Sequence, residues 1–172
     1  MAIFKIINEN YPTTSDMENL ISYVIRPNKA LYVGIPNLYA MQPNPASDIC
    51  TQMLQVKNLY SKNSGKQLIH FVISLSGYSF DYESRMTPEQ LHFISSLFAN
   101  DICEAGYQCL YAIHKTSNLH VHFVLNSVNW KTGEKFSGKQ EEYTSFINGF
   151  HNCALFKKYQ LNFSVYYGNA HT

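Results

Sequence analysis

The chain has 172 residues, 45% of them hydrophobic and 15% aromatic, with a formal net charge of +1. That length and apolar content predict one packed domain that buries about two-thirds of the unfolded surface. The near-zero charge argues against a protein that coats nucleic acid by charge alone, and no apolar run approaches the roughly 20 residues of a membrane-spanning helix, so no membrane insertion is expected.

Taken in order, residues 2–7 read as a short apolar strand. Ser15-Asp16-Met17-Glu18 matches a capping box with Ser15 as N-cap. Met17, Leu20, Ile21 and Val24 then recur at helical spacing until Pro27 stops the helix near Ile25 or Arg26. Tyr23 falls in the last turn, beside the apolar stripe and off its centre, where a ring can pack while its hydroxyl faces elsewhere. Residues 27–46 hold four of the six prolines and read as a long irregular loop, a kind of segment that often carries function. A second helix is predicted over roughly 47–61, with Ile49, Met53, Val56 and Tyr60 on one face, and a buried strand over 67–76.

Thr87-Pro88-Glu89-Gln90 is a further helix start, followed by Leu91, Ile94, Leu97, Phe98 and Ile102 on the buried face and by Gly106 as the stop. Strands are expected over 107–114 and 118–129, a turn at Lys131-Thr132-Gly133-Glu134, a helix over 141–158 and a last strand over 161–167. A hairpin between 107–114 and 118–129 rules out a purely parallel sheet. The expected fold is α+β: a five-stranded antiparallel sheet with helices packed mainly on one face, the other face left open. The start, Met1-Ala2-Ile3-Phe4-Lys5, lacks the pattern of a signal peptide. Cys50, Cys103, Cys109 and Cys153 have no framework spacing, which predicts reduced thiols and a cytoplasmic location.

The chemistry concentrates at Tyr111-Ala112-Ile113-His114-Lys115-Thr116-Ser117-Asn118-Leu119-His120-Val121-His122-Phe123. With a side-chain period of two, His120 and His122 share one face of a strand and Val121 and Phe123 the other. His114 closes the preceding apolar run, and a tight hairpin would bring it beside the pair. Three imidazoles converging from two strands suit a divalent ion, with Zn, Mn, Ni, Fe or Cu all open. A histidine-triad nucleotide hydrolase would need a third alternating histidine, and position 124 is Val124; a zinc finger would need closely paired cysteines, and there are none.

His120-Val121-His122 is the histidine–hydrophobe–histidine signature of HUH endonucleases, and its surroundings, Asn126-Ser127-Val128-Asn129 and Thr132-Gly133-Glu134-Lys135-Phe136, resemble the MobP-type relaxases. Leu20-Ile21-Ser22-Tyr23-Val24-Ile25-Arg26-Pro27-Asn28-Lys29 looks like the first motif of that family, Leu68-Ile69-His70-Phe71-Val72-Ile73-Ser74-Leu75 like its histidine-bearing strand, and Met86-Thr87-Pro88-Glu89-Gln90 like the start of its long helix. The resemblance implies a relaxase catalytic domain spanning 1–172, a reduced member or one continued by a C-terminal region. It implies metal-dependent nicking of one DNA strand at a plasmid or integrative-element transfer origin, through a covalent 5′-phosphotyrosyl link, with Mn or Mg as the first expected ion and Ni or Zn as alternatives. Accessory relaxosome and secretion proteins would be partners alongside single-stranded DNA. A rolling-circle initiator, a single-strand transposase and a non-catalytic DNA-binding module of the same fold are the alternatives, with a metallohydrolase acting on another substrate as the outsider.

Within that reading Tyr23 is the nucleophile, with Tyr11, Tyr32 and Tyr39 as the fallback tyrosines, and His114, His120 and His122 hold the metal. A phenol, with a pKa of about 10, ionises and departs more easily than an alkanol, so a tyrosyl link to phosphate can be reversed by a DNA hydroxyl. Arg26, Lys29 and Asn126 are candidate DNA contacts; the plainer reading makes them two solvated cations and an asparagine that bonds locally. His70 is expected to be buried or to support a ligand from behind rather than to ligate. Besides the C-terminal region that such relaxases usually carry, the chain departs from the family pattern in its hairpin. Lys115-Thr116-Ser117-Asn118-Leu119 offers no carboxylate and forms a shorter connection, so a hydrogen-bond partner for the histidines must come from elsewhere or from a backbone carbonyl.

Overall fold

The computed structural model describes residues 2–75, 86–116, 118–156, 159 and 161–168. In chain order these form β1 (Ala2–Ile7), α1 (Thr14–Val24), β2 (Ala30–Gly34), α2 (Pro45–Leu59), β3 (Leu68–Ser74), α3 (Pro88–Glu104), β4 (Cys109–Lys115), β5 (Leu119–Asn126), α4 (Gln140–Phe156) and β6 (Phe163–Gly168). Ser76 at the end of the expected third strand, Ser117 in the hairpin and residues 157–158 at the end of the last helix lie outside the described residues.

The strands make one sheet in the order β2-β4-β5-β3-β1-β6, so the histidine strand β5 sits near its middle. Four of the five pairings are antiparallel, and β1 with β6 is parallel. The α+β architecture therefore stands, while the strand count rises from five to six and the sheet is mixed. The added strand is β2, inside the stretch read as a loop. It lies at the sheet edge with Leu31 and Val33 exposed, so the flanking prolines mask a strand that needs partners on only one side.

The helices also divide between the two faces instead of gathering on one. Ile69, Phe71, Ile73, Tyr111, Ile113, Val121, Phe123 and Leu125 pack against Leu91, Ile94 and Phe98 of α3 and Phe150 of α4. Phe71 anchors that side, with its ring 4.9 Å from Phe4, 5.2 Å from Phe123 and 5.5 Å from Phe146. On the other face Leu68, Leu110, Ala112 and Val124 meet Met17, Ile21 and Val24 of α1 and Ile49 and Met53 of α2. Apolar residues at both parities of the central strands need cover on both sides. What stays open on the second face is a cleft beside α1, where the strand pattern turns from apolar to histidine.

The helix starts show which local signals govern. Thr87 caps α3 as expected: its hydroxyl accepts from Gln90 N at 3.3 Å while Gln90 accepts from Thr87 N at 2.7 Å. Gly106, at φ +100°, follows the end of α3, where an added Cβ would strike Asn129. For α1 the cap is Thr13, two residues before the expected Ser15. Its hydroxyl accepts from Asp16 N at 3.1 Å, and Asp16 accepts from Thr13 N at 3.0 Å. Of two overlapping cap patterns the earlier one wins, because it adds half a turn of backbone bonding, including Met17 N to Thr13 O at 3.1 Å. Glu18 instead accepts from Ser47 on α2 at 3.2 Å.

Candidate metal centre and tyrosine site

Three strands and one helix end build the site. In the β4–β5 hairpin His114 pairs directly with His120, and Ala112 with His122, so the shorter connection still places His114 beside the pair. One ring nitrogen from each of His114, His120 and His122 lies within 4.8 Å of the others. His114 and His122 are buried, and His120 is half-buried at the open end.

Hydrogen bonds fix which nitrogen of each ring is free. His114 Nε2 lies 2.7 Å from the carbonyl of Val24. A carbonyl only accepts, so Nε2 carries the proton and Nδ1 keeps its lone pair. That carbonyl is among the last four of α1, which have no partner within the helix. The end of α1 and the ring of His114 thus complete each other. His120 Nδ1 donates to Asn118 O at 2.9 Å, which leaves Nε2 free. His122 Nδ1 faces His70 Nε2 at 3.1 Å, and His70 Nδ1 faces the Tyr11 hydroxyl at 2.9 Å. His122 Nε2 is buried with no hydrogen-bond partner.

Burial favours the neutral form of His122, His70 and His114. Burial, reinforced by the neighbouring histidines, pushes the pKa of His122 down to about 2. Burial, with Lys66 and Lys5 adding to it, takes His70 to about 3. His114 is also lowered, mainly by burial, against a raising contribution from the Val24 carbonyl. Neutral imidazoles are donors to a cation rather than competitors for its place. The orphaned, buried Nε2 of His122 and an all-imidazole donor set fit a divalent ion. The hydrogen-bond support expected from elsewhere or from a backbone carbonyl is in place as the Val24 carbonyl, the Asn118 carbonyl within the hairpin, and His70.

Tyr23 lies at the mouth of this cluster, 39% exposed. Its ring is 5.9 Å from that of His122 and 6.2 Å from that of His114. The Arg26 guanidinium and the Lys29 ammonium stand 5.5 Å and 5.3 Å from the Tyr23 ring centre. A cleft of about 520 Å³ opens from Tyr23, His120 and His122 along Val72 and Ile7 towards Lys5 and Glu9.

Asn126, a candidate DNA contact from sequence, is fully buried. Its amide donates to Met53 O at 3.0 Å and Gln108 Oε1 at 2.8 Å, and its oxygen accepts from Val128 N at 3.2 Å and from the Lys57 ammonium. No hydrogen-bonding capacity is left for a phosphate, so it is a structural hub and the local-bonding reading holds. Of the fallback tyrosines, Tyr32 lies on the opposite face, stacked on His92 at 4.6 Å and donating to Glu89 at 3.0 Å. Tyr39 is exposed in the loop before α2.

Tyr11 is the residue whose place the sequence did not disclose. It is 7% exposed, has a left-handed backbone at φ +49°, and reaches under the sheet to His70. A tyrosine in that conformation costs on the order of 1 kcal/mol, borne only where the surroundings hold the side chain.

Comparison with known proteins adds the family. Residues 23–153 match the family model "Relaxase: MobA/VirD2-like, nuclease domain". Among curated protein sequences none matches significantly. A solved structure from work on the molecular basis of vancomycin resistance transfer in Staphylococcus aureus shares the fold at a TM-score of 0.53 and 15% identity, covering 95% of this chain and 96% of that one.

Proposed function

The chain belongs to the relaxase family, as a MobA/VirD2-like nuclease domain, and from that premise we propose that it nicks one strand of DNA at a transfer origin and stays joined to the 5′ end through Tyr23. The observation that carries the reading is the half-exposed phenol set against the histidine cluster, with two cations beside its ring.

In this mechanism His114, His120 and His122 would hold a divalent ion, which when bound draws charge from the scissile phosphate. The Tyr23 oxygen attacks phosphorus and its proton passes to solvent. The bond from phosphorus to the 3′ oxygen breaks, and that oxygen leaves with the electron pair and is protonated. Arg26 and Lys29 neutralise the charge that gathers on the phosphate oxygens. Reversal by a DNA 3′-hydroxyl restores the strand without an energy source, because one phosphodiester has been exchanged for another. The cleft of about 520 Å³ towards Lys5 is the path assigned to the single strand leaving the site.

Incubation with single-stranded origin DNA and Mn²⁺ or Mg²⁺, followed by denaturing electrophoresis, tests the reading. A covalent adduct is expected, absent in Tyr23→Phe and strongly reduced in His120→Ala. An adduct that survives Tyr23→Phe, or a free 5′-phosphate with no adduct, would sink the nucleophile assignment. Binding without cleavage under every divalent ion would point to a non-catalytic module.

A further inference from the structure

The three ligand candidates are supported unequally. His114 and His120 each donate to a backbone carbonyl, an acceptor that never reverses. His122 instead leans on His70, whose ring nitrogen either donates or accepts, and His70 leans on the Tyr11 hydroxyl, which also does both. The chain Tyr11–His70–His122 therefore has two self-consistent directions. In one, His122 Nδ1 donates to His70 Nε2 and His70 Nδ1 donates to the tyrosine oxygen, leaving a lone pair on His122 Nε2. In the other, the tyrosine hydroxyl donates to His70, His70 Nε2 donates to His122 Nδ1, and His122 Nε2 bears a proton aimed into the ligand cluster. The second direction buries an N–H with no acceptor, because Nε2 has no partner. The first needs a hydroxyl able to accept from His70.

Resting on the reading that the three histidines hold a divalent ion, we infer that Tyr11 and His70 are positioning residues, a hydrogen-bonded relay that holds His122 with its Nε2 lone pair towards the ion. They take the place of the carboxylate that the hairpin lacks. The geometry agrees beyond the two distances. The His70 and His122 rings lie nearly parallel, 5.4 Å apart at 23°, so their hydrogen bond fixes ring orientation as well as tautomer. His70 pairs with Val124 across the β3–β5 ladder and Val72 with His122, which puts His70 diagonal to His122 on the same sheet face. Tyr11 is held below them in a left-handed backbone, and Leu20 of α1 shares its packing.

The relay separates three substitutions that mere packing would not. Tyr11→Phe keeps the ring and removes only the acceptor. A proton on His70 Nδ1 then has no acceptor, so the tautomer in which His70 donates to His122, with the His122 proton on Nε2, gains population. His70→Phe keeps bulk and removes the acceptor for His122. His70→Gln restores it, since its side-chain oxygen accepts from His122 Nδ1. Calorimetric titration with Mn²⁺ and Ni²⁺ should show affinity weakened about tenfold in Tyr11→Phe and about 10- to 100-fold in His70→Phe, with most of the loss recovered in His70→Gln. Nitrogen–proton NMR correlations of the ion-free proteins should place the His122 proton on Nδ1 in the native chain and show an Nε2-protonated population in Tyr11→Phe. Thermal midpoints measured without ion identify any variant that fails to fold. Affinities within twofold of native in both Phe variants, or a native His122 protonated at Nε2, would overturn the relay. A native protein that binds neither ion overturns the metal reading instead, and the NMR arm still decides the relay.

Discussion

One face of β5 carries two buried polar centres with opposite bookkeeping. His122 and Asn126 are four residues apart, about 13 Å along a strand, on the same side of the same sheet. Asn126 has both amide donors and its oxygen engaged, by Met53, Gln108, Val128 and Lys57. His122 has one ring nitrogen bound to His70 and the other bound to nothing. Between them Val124 is sealed in apolar packing with Leu68, Leu110 and Ala112. A buried polar group with every bond made holds a fold together, whereas one left short calls for an explanation, and at His122 the neighbouring imidazoles offer one.

The largest effects should come from emptying each centre in turn. His122→Ala removes a ligand candidate and one hydrogen bond, that to His70. Nicking is expected to fall on the order of 100-fold or more, while the ion-free melting temperature moves by no more than about 4 °C. Asn126→Ala unpairs two donors and strands the Lys57 ammonium, costing about 3 kcal/mol or more, roughly 6–12 °C in a domain of this size. Calorimetric melting beside a nicking assay reads both. If Asn126→Ala melts like the native chain and loses DNA binding instead, the contrast between the two centres is wrong.

Acid should weaken the histidine end next. The folded-state pKa values of His70 and His122 are lowered to about 3 and about 2, below the ordinary 6.5 of the unfolded chain. Between those limits the unfolded state binds protons that the folded state refuses, so stability falls as pH drops below about 6.5. Each histidine contributes up to about 1.4 kcal/mol per pH unit over that range. Melting of the ion-free domain from pH 7 to pH 4 should show the decline, and His122→Ala should make it shallower. A level profile would mean that these rings take up protons freely in the folded state.

Much of this was readable in advance where a short-range rule decides the outcome. Period two placed His120 and His122 on one face, and β1 began and ended as its apolar run implied. The Thr87-to-Gln90 box fixed the start of α3. Burial depth was less readable. An asparagine closing a histidine strand looks the same whether it meets phosphate or core, and its partners here come from α2 and from the residue before β4. Tyr11 was equally opaque, because its role follows from one left-handed residue and a bond across to β3. β2 was hidden for a different reason: an edge strand with exposed Leu31 and Val33 shows no apolar alternation to find.

Lys57 sharpens the contrast from the other end with the smallest expected effect. Its ammonium is fully buried on α2 and donates to the Asn126 oxygen. Burial, with Lys135 adding to it, lowers its pKa to about 7, against 10.5 in the unfolded chain. From about pH 7 to pH 10.5 the unfolded state therefore holds the extra proton, and stability rises as pH rises through that window. Lys57→Met keeps the length of the chain and removes the charge, while the Asn126 oxygen still accepts from Val128 N. The variant should be within about 1 kcal/mol of native at pH 7, on either side, because an unpaired buried charge is replaced by a fitting apolar chain. Its melting temperature should lose the alkaline rise while keeping the acid decline, since His70 and His122 are untouched. If the alkaline rise persisted in Lys57→Met, the ammonium would not be its source, and the Asn126 centre would owe its stability to the amide bonds alone.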